Sequence, residues 1–529
     1  MDLSGKKTAI PLNRAGYQLL HEGTMEMARI EATGIKIDVE RLRQVELYLG
    51  EKLVKVKESI RNDPLWEKWT KRWGRNSNIG SREQLGYFLF DVCGVPKVKF
   101  TKAGSASVDE EVLDNIQHPD PAVNKFIHNV SERFKYDKTI GTFLKNIRKY
   151  IGTDGRIHPV FDLFTAKSYR GSCSDPNFQA VPNRDKEISE LVRGCFIPST
   201  PERLFTENDF SGIEVAVSAA YHQDANFISY ITTPGKDMHR DTAAEIFGLR
   251  AEDVSKDARQ GAKNTFVFPQ FYGANWTTCA PSLWDYIDRV KLTTPDKVPL
   301  KDHLRDTMGI HKLGEIVQGS EPAPGTFAAY VRNVEKKFWN ERFKGYSQWK
   351  RRFFHEYQDR GSFDILSGFR IHGVWGRTQV CNYPIQGSAF HCLLWSIIQI
   401  GKKMRHYKFK SRIIGQIHDS VTGDIVPNEL ANYLDIVHTT VTEELREHFT
   451  WLKVPMKIEN ETSPQGEPWS GKREYGYKDG KFQPDPKNEP HLWTSDVNRF
   501  MELIAKKPVM REHRMSAGKE RGPNFRSKY

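Results

Sequence analysis

Two aspartates and a run of cations and aromatics carry the chemistry that this sequence offers. In Arg259-Gln-Gly-Ala-Lys263-Asn-Thr-Phe-Val-Phe268-Pro-Gln-Phe-Tyr272-Gly273, Arg259 and Lys263 are four apart, as are Phe268 and Tyr272. Residues four apart share one face of a helix. Cations on such a face can grip a polyphosphate, and the aromatics can form a flat floor for a base. A half-buried helix with solvated cations shows the same pattern. Asp209 and Asp419 each stand beside a strand-like segment. If those strands are neighbours, the carboxylates meet and offer a site to a hard cation, Mg²⁺ in particular. Ordinary turn and capping aspartates look the same in sequence. Two such ions about 4 Å apart can run in-line phosphoryl transfer, one lowering the pKa of an attacking hydroxyl and the other neutralising the leaving pyrophosphate. Together the parts describe a nucleotidyl transferase.

The elements around these residues follow from pattern. Residues 204–206 read as a strand leading to Asp209, and 215–222 as the start of a helix. Residues 412–426 read as two strands around a tight turn at His418-Asp419, which puts the second carboxylate at a hairpin tip. Asn382-Tyr-Pro-Ile-Gln386-Gly opens an apolar helix over 388–404, and 454–460 reads as a final strand. Helices are expected at 17–32 and 39–60, with Asp38 as N-cap, and from Ser81 with a capping-box pattern. The stretch 66–73 alternates aromatics with cations, which suits a surface that tracks a nucleic-acid backbone; helical packing explains it equally well. The loop 168–182 holds the planar donors Arg170, Asn177 and Gln179, which can reach minor-groove acceptors or can simply furnish a polar turn. Phe100-Thr-Lys-Ala-Gly-Ser105 is a basic turn, and 327–357 reads as one long helix with an aromatic core and a basic face. Residues 280–326, rich in Pro, Gly and charge, read as an inserted subdomain or flexible loop. From about 476 the chain becomes a basic tail, with eight Lys/Arg against two Glu between Lys506 and Tyr529.

At 529 residues the chain exceeds one core, so two to four lobes are expected. A net charge of +12 favours a polyanionic partner, nucleic acid first. Six scattered cysteines without metal spacing suit a reducing, cytoplasm-like compartment. No apolar h-region opens the chain and no apolar run spans a bilayer, so neither a signal peptide nor a membrane partner is expected.

Over about residues 17–470 the sequence resembles the family A DNA polymerases, of the bacterial DNA polymerase I and phage replicative type. Asp209-Phe-Ser-Gly-Ile-Glu214 is similar to the family's motif A, Arg259–Gly273 to motif B, and His418-Asp419 to motif C. Gly155-Arg-Ile-His158, Arg170, Asp175-Pro-Asn-Phe-Gln179 and Asn382-xxx-Gln386-Gly match in the same order. The resemblance implies an α+β right-hand fold with an antiparallel palm sheet and helical thumb and fingers. It implies a segment 1–34 leading into thumb 35–154, palm 155–225, fingers 226–370 and palm 371–475, followed by the tail 476–529. It implies that Asp209, Asp419 and the Phe210 carbonyl hold two Mg²⁺ ions, with Mn²⁺ able to substitute. Lys263 would act on the triphosphate and donate a proton to pyrophosphate, and Arg259 would bind the outer phosphates. Phe268, Tyr272, His239, Ser211 and Gly212 would shape the dNTP pocket, and Glu214 would be the steric gate against a 2′-hydroxyl. Arg170, Asn177, Gln179, Asn382, Gln386 and His418 would hold primer–template DNA. The implied enzyme is a monomeric DNA-directed DNA polymerase working in the cytoplasm, a bacterial host's if the chain is phage-encoded. The thumb-like pattern starts near residue 17, so no 3′–5′ exonuclease domain is expected in this chain. A separate exonuclease, helicase or processivity protein are the expected partners.

Three departures stand out. Motif B usually spaces Lys to Phe by four and Lys to Tyr by eight; here the gaps are five and nine. A π-bulge beside Pro269 would return Phe268 and Tyr272 to the pocket face. Ser420 replaces the usual Glu after the motif C Asp, leaving two carboxylates, with Asp424 as a candidate helper. Gly212 replaces a usual Gln. Rival readings are a single-subunit RNA polymerase, a two-metal phosphodiesterase, and a silent DNA-binding scaffold.

Overall fold

The computed structural model describes residues 10–484 apart from 98–103, 117, 184, 318 and 479–480. Most of the basic turn expected at 100–105, and the tail from 485, lie outside the described residues.

A six-stranded antiparallel sheet positions the two aspartates. Its order across the sheet is Lys481–Pro484, Arg473–Lys478, Glu459–Thr462, Leu204–Asp209, Ser420–Ile425, Arg412–Ile417. Leu204–Asp209 is central, and its first five residues are buried. Asp209 is in register with Ser420 on one side and Glu459 on the other. The strand Arg412–Ile417 turns back through His418 and Asp419, with His418 at φ 48°. Behind the sheet, Trp469 is fully buried against Phe205, Phe178 and Phe196. The 30-residue helix Arg377–His406 is buried on most faces, and Tyr221 donates to the Pro384 carbonyl within it.

A helical arm, Val39–Arg61 against Pro121–Lys138, stands to one side. Asp38 caps its first helix by accepting from the Arg41 amide, and Ser81 accepts from the Gln84 amide. Gln84 completes no capping box, because its side-chain oxygen instead accepts from Trp69 and from the Asn78 amide. The arm's end has its own core. Trp69 is wholly buried there, in ring contact with Trp66, Trp73 and Phe88, so the aromatics of 66–73 serve packing, while Lys68, Lys71 and Arg72 are exposed.

Other expectations need correction. Residues 280–326 are not an open loop: Trp276–Val290 and Leu300–Met308 are helices, with Leu283, Ile287 and Leu304 buried. The basic tail begins later than 476, because Arg473–Lys478 and Lys481–Pro484 pair as the sheet's outer hairpin. The strand expected at 454–460 sits at Glu459–Thr462. The helix 327–357 is broken at Phe343, whose backbone (φ −121°, ψ 48°) leaves the helical region between Phe327–Arg342 and Lys344–Arg360. Asn382–Gly387 does not open its helix, which starts five residues earlier at Arg377.

Candidate active site

The site is built from one sheet end and one helix. The Phe210 amide donates to the Asp419 carbonyl at 3.0 Å, tying the end of the central strand to the hairpin tip. Burial, and then the neighbouring Asp419 charge, push the Asp209 carboxyl up to about 6. Burial likewise pushes Asp419 up to about 6, against the opposing pull of Arg170. Arg170 stands between two acids, 3.7 Å from Asp419 and 3.6 Å from Glu214. Beneath them Glu207 accepts from Trp469, Lys472 and Ser420. Burial raises the Glu207 carboxyl, but Lys472, Arg193 and the Trp469 indole together outweigh it and hold the group below its ordinary value. Ser420, standing where the family usually has Glu, is therefore spent on Glu207. Asp424 does not help the pair: it lies four residues along the strand, held by Ser199 and Arg203.

Phe210, Ser211 and Gly212 form the turn from strand to helix Ile213–His222. Gly212 is left-handed there (φ 67°, ψ 31°), a conformation in which a side chain is strained. The helix carries Glu214, whose carboxylate accepts from the Tyr272 hydroxyl at 3.2 Å. Burial, then Glu214, push that phenol up to about 12.

The cation-bearing stretch is not a plain α-helix. Lys256–Ala262 is α, Lys263–Val267 is a π-turn in which the Phe268 amide donates to the Lys263 carbonyl, and Phe268–Phe271 is α again. The extra residue is absorbed there, immediately before Pro269, and Phe268 and Tyr272 both line one pocket with Glu214, Asn382 and Gln386. The Lys263 ammonium lies 5.1 Å from the Phe268 ring centre. Arg259 is held by Asp237 at 2.6 Å, the residue that also caps the helix bearing His239. His239 meets Phe268 edge to face, and burial, then Arg259 and Lys263, lower it to about 4, leaving a neutral ring at neutral pH.

The remaining sequence candidates scatter around this pocket. Gln179 donates to Gln416, which donates to the His418 carbonyl. The Asn177 side chain accepts from the Ala180 amide, so its oxygen caps a short turn. Sequence reasoning passed over Glu207, Lys472, Glu459 and Lys350. Nothing local marks them, since their partners are distant in the chain.

A sequence profile of DNA polymerase family A matches residues 49–469. The chain belongs to DNA polymerase family A. DNA polymerase I of Lactococcus lactis subsp. cremoris is 28% identical over 445 residues, covering 84% of this chain and 44% of that protein. DNA polymerase I of Bacillus subtilis is 27% identical over 462 residues, covering 85% and 46%. This family A chain thus spans about half the length of the curated relatives it matches. A solved structure of the POL domain of Pol1 from M. smegmatis, in complex with DNA primer-template and dNTP, shares the fold with a TM-score of 0.62. It is 21% identical, and the match covers 85% of this chain and 70% of that one. The α+β right-hand polymerase fold is therefore this chain's fold. No helix among the described residues is long and apolar enough to cross a membrane.

Proposed function

We propose that this chain is a template-directed DNA polymerase that adds dNMPs to a primer 3′ end and releases pyrophosphate. One observation carries the reading: an unbroken line of contacts runs from Asp209 and Phe210 through Asp419, Arg170 and Glu214 to Tyr272, on the helix that bears Arg259 and Lys263. The relatives' name, DNA polymerase I, supports the same activity. The solved relative's primer-template and dNTP support the same substrates.

The donor set fits divalent ions. Two partly buried carboxyls, Asp209 raised by burial and the Asp419 charge and Asp419 by burial and Glu214, call for a cation, and one arginine at 3.7 Å supplies only part of it. Asp209, Asp419 and the Phe210 carbonyl would hold two Mg²⁺, or Mn²⁺, ions. Bound there, the metals would activate the primer hydroxyl and offset charge on the leaving group. The other steps belong to the protein. Arg259 and Lys263 grip the triphosphate, and Lys263 passes a proton to the departing pyrophosphate. His239, neutral and packed on Phe268, lines the triphosphate side without adding charge. Ser211 and Gly212 let backbone approach the nucleotide. Glu214, fixed by Tyr272, crowds a 2′-hydroxyl and selects dNTPs. Arg170, Asn177, Gln179, Asn382, Gln386 and His418 steady the primer terminus and its paired template. The thumb is assigned to 35–154, the palm to 155–225 and 371–475, and the fingers to 226–370. The setting is phage or bacterial-type DNA replication.

The test is primer extension on a primed template with Mg²⁺, offering dNTPs or NTPs, beside Asp209→Ala. Extension with dNTPs only, lost in the variant, supports the reading. Extension with NTPs moves the assignment to an RNA polymerase. Absence of extension with either overturns it.

A further inference from the structure

Lys350 is a cation in an unusual place. It sits on helix Lys344–Arg360, with its ammonium 4.0 Å from the Trp339 ring centre and 4.7 Å from that of Tyr346. The same nitrogen lies 3.5 Å from both the Gln270 and Phe271 carbonyl oxygens. Those carbonyls end the helix that carries the nucleotide pocket's aromatics. Among the described residues no carboxylate pairs with it. Lys350 also lines a cavity of about 310 Å³, together with Glu335, Arg377 and Asn382. A buried cation without a counter-ion is costly. Carbonyls at a helix C-terminus, with two ring faces, are what compensates it.

The next residue along from these carbonyls is Tyr272. Gln270 is itself fixed, since it is buried and accepts from the Trp339 indole at 2.6 Å, and its carbonyl also accepts from the Gly273 amide at 3.2 Å. We propose that Lys350 is a positioning residue of the nucleotide pocket: its ammonium clamps the Gln270 and Phe271 carbonyls and so sets Tyr272 against Glu214. The inference rests on the polymerase reading for its effect on nucleotides, but the clamp itself stands on geometry. Burial lowers Lys350 to about 8, with Arg377 adding to the fall and Cys381 opposing it. Of the other groups facing it, burial raises the Glu335 and Cys381 groups and lowers His222 to about 3. Lys350 is thus the group whose loss of charge falls near pH 8.

Lys350→Met keeps the apolar stem and removes the charge. Two readouts decide the proposal. In hydrogen exchange, the amides of Tyr272, Gly273 and Ala274 open about tenfold faster in the variant, while 420–425 of the sheet is unchanged. In primer extension, KM for dNTP rises about tenfold with kcat within about twofold, and the wild-type KM climbs above about pH 8 while the variant's stays flat. Wild-type exchange and a wild-type KM in the variant would overturn the proposal. If the wild type extends no primer, the polymerase reading falls and the exchange readout alone decides the clamp. Should Lys350→Met not fold, wild-type exchange at 272–274 on either side of about pH 8, corrected for the intrinsic rate, decides it.

Discussion

Asp209 and Asp419 show what two partly buried carboxyls at one sheet end cost the chain that carries them. Both carboxyls stand near 6 rather than near their unfolded value of about 4. The sign follows directly: the native state holds their protons more tightly than the unfolded chain, so stability rises as pH falls from about 6 toward 4 and is lower above that window. Asp209→Asn is therefore expected to raise the melting temperature of metal-free protein at neutral pH. The gain is about 1–2 kcal/mol after discounting for partial exposure. The same change removes one of the two proposed metal ligands and is expected to lower kcat about 10³-fold or more. Thermal melts with and without Mg²⁺ check both halves: the wild type is stabilised by the ion and the variant is not. A variant less stable than wild type without metal would show that the two charges do not oppose folding. Glu214→Ala, which frees Tyr272, is expected to lower discrimination between dNTPs and NTPs about tenfold or more, read as the ratio of kcat/KM values. At this scale the motif residues were legible because each is a reactive type at a fixed spacing. Lys350 was not, because a lysine among aromatics looks like any basic helix face until its carbonyl partners, 80 residues away, are known.

One element states in its geometry what the spacing only suggested. The extra residue between Lys263 and Phe268 is stored as a single π-turn, not spread along the helix. The flanking α-turns are fixed by packing: Ala258 and Ala262 are buried before the π-turn, and Gln270 after it is held by Trp339. Deleting Asn264, which is exposed, should relax the π-turn to regular α-helix without moving either flank. The expected outcome is a melting temperature within a few degrees of wild type and a dNTP KM changed less than about tenfold. A deletion variant that loses all incorporation would show that the π-turn aims Lys263 or Phe268 in a way an α-helix does not. The hairpin around His418-Asp419 was equally readable, since alternation and a two-residue turn specify it. The helices inside 280–326 were hidden, because Pro281 and a high charge content mask a pattern whose apolar face packs on the helix starting at Phe327. The stretch 66–73 stayed undecided between surface and packing: tryptophans between lysines suit either, and only the tertiary contact with Phe88 buries Trp69.

For the whole molecule the decisive quantity is charge. The net +12 is not evenly spread, since the last 24 residues alone hold eight Lys/Arg against two Glu, half of the excess. That segment lies outside the described residues and contains none of the site residues. Its cations can therefore add to DNA affinity without touching the chemistry. Each phosphate neutralised contributes about −0.9 to the slope of log affinity against log salt on duplex DNA. Removing residues 491–529 is expected to make that slope shallower by several units and to weaken primer–template binding about tenfold or more at low salt. The dNTP KM and single-turnover rate at saturating DNA should not change, because Asp209, Asp419, Lys263 and Tyr272 all remain in the shortened chain. Fluorescence anisotropy across a salt series, paired with single-turnover extension, separates the two effects. An unchanged salt slope would confine the DNA grip to the arm and the pocket rim, where Arg170 already stands between Asp419 and Glu214.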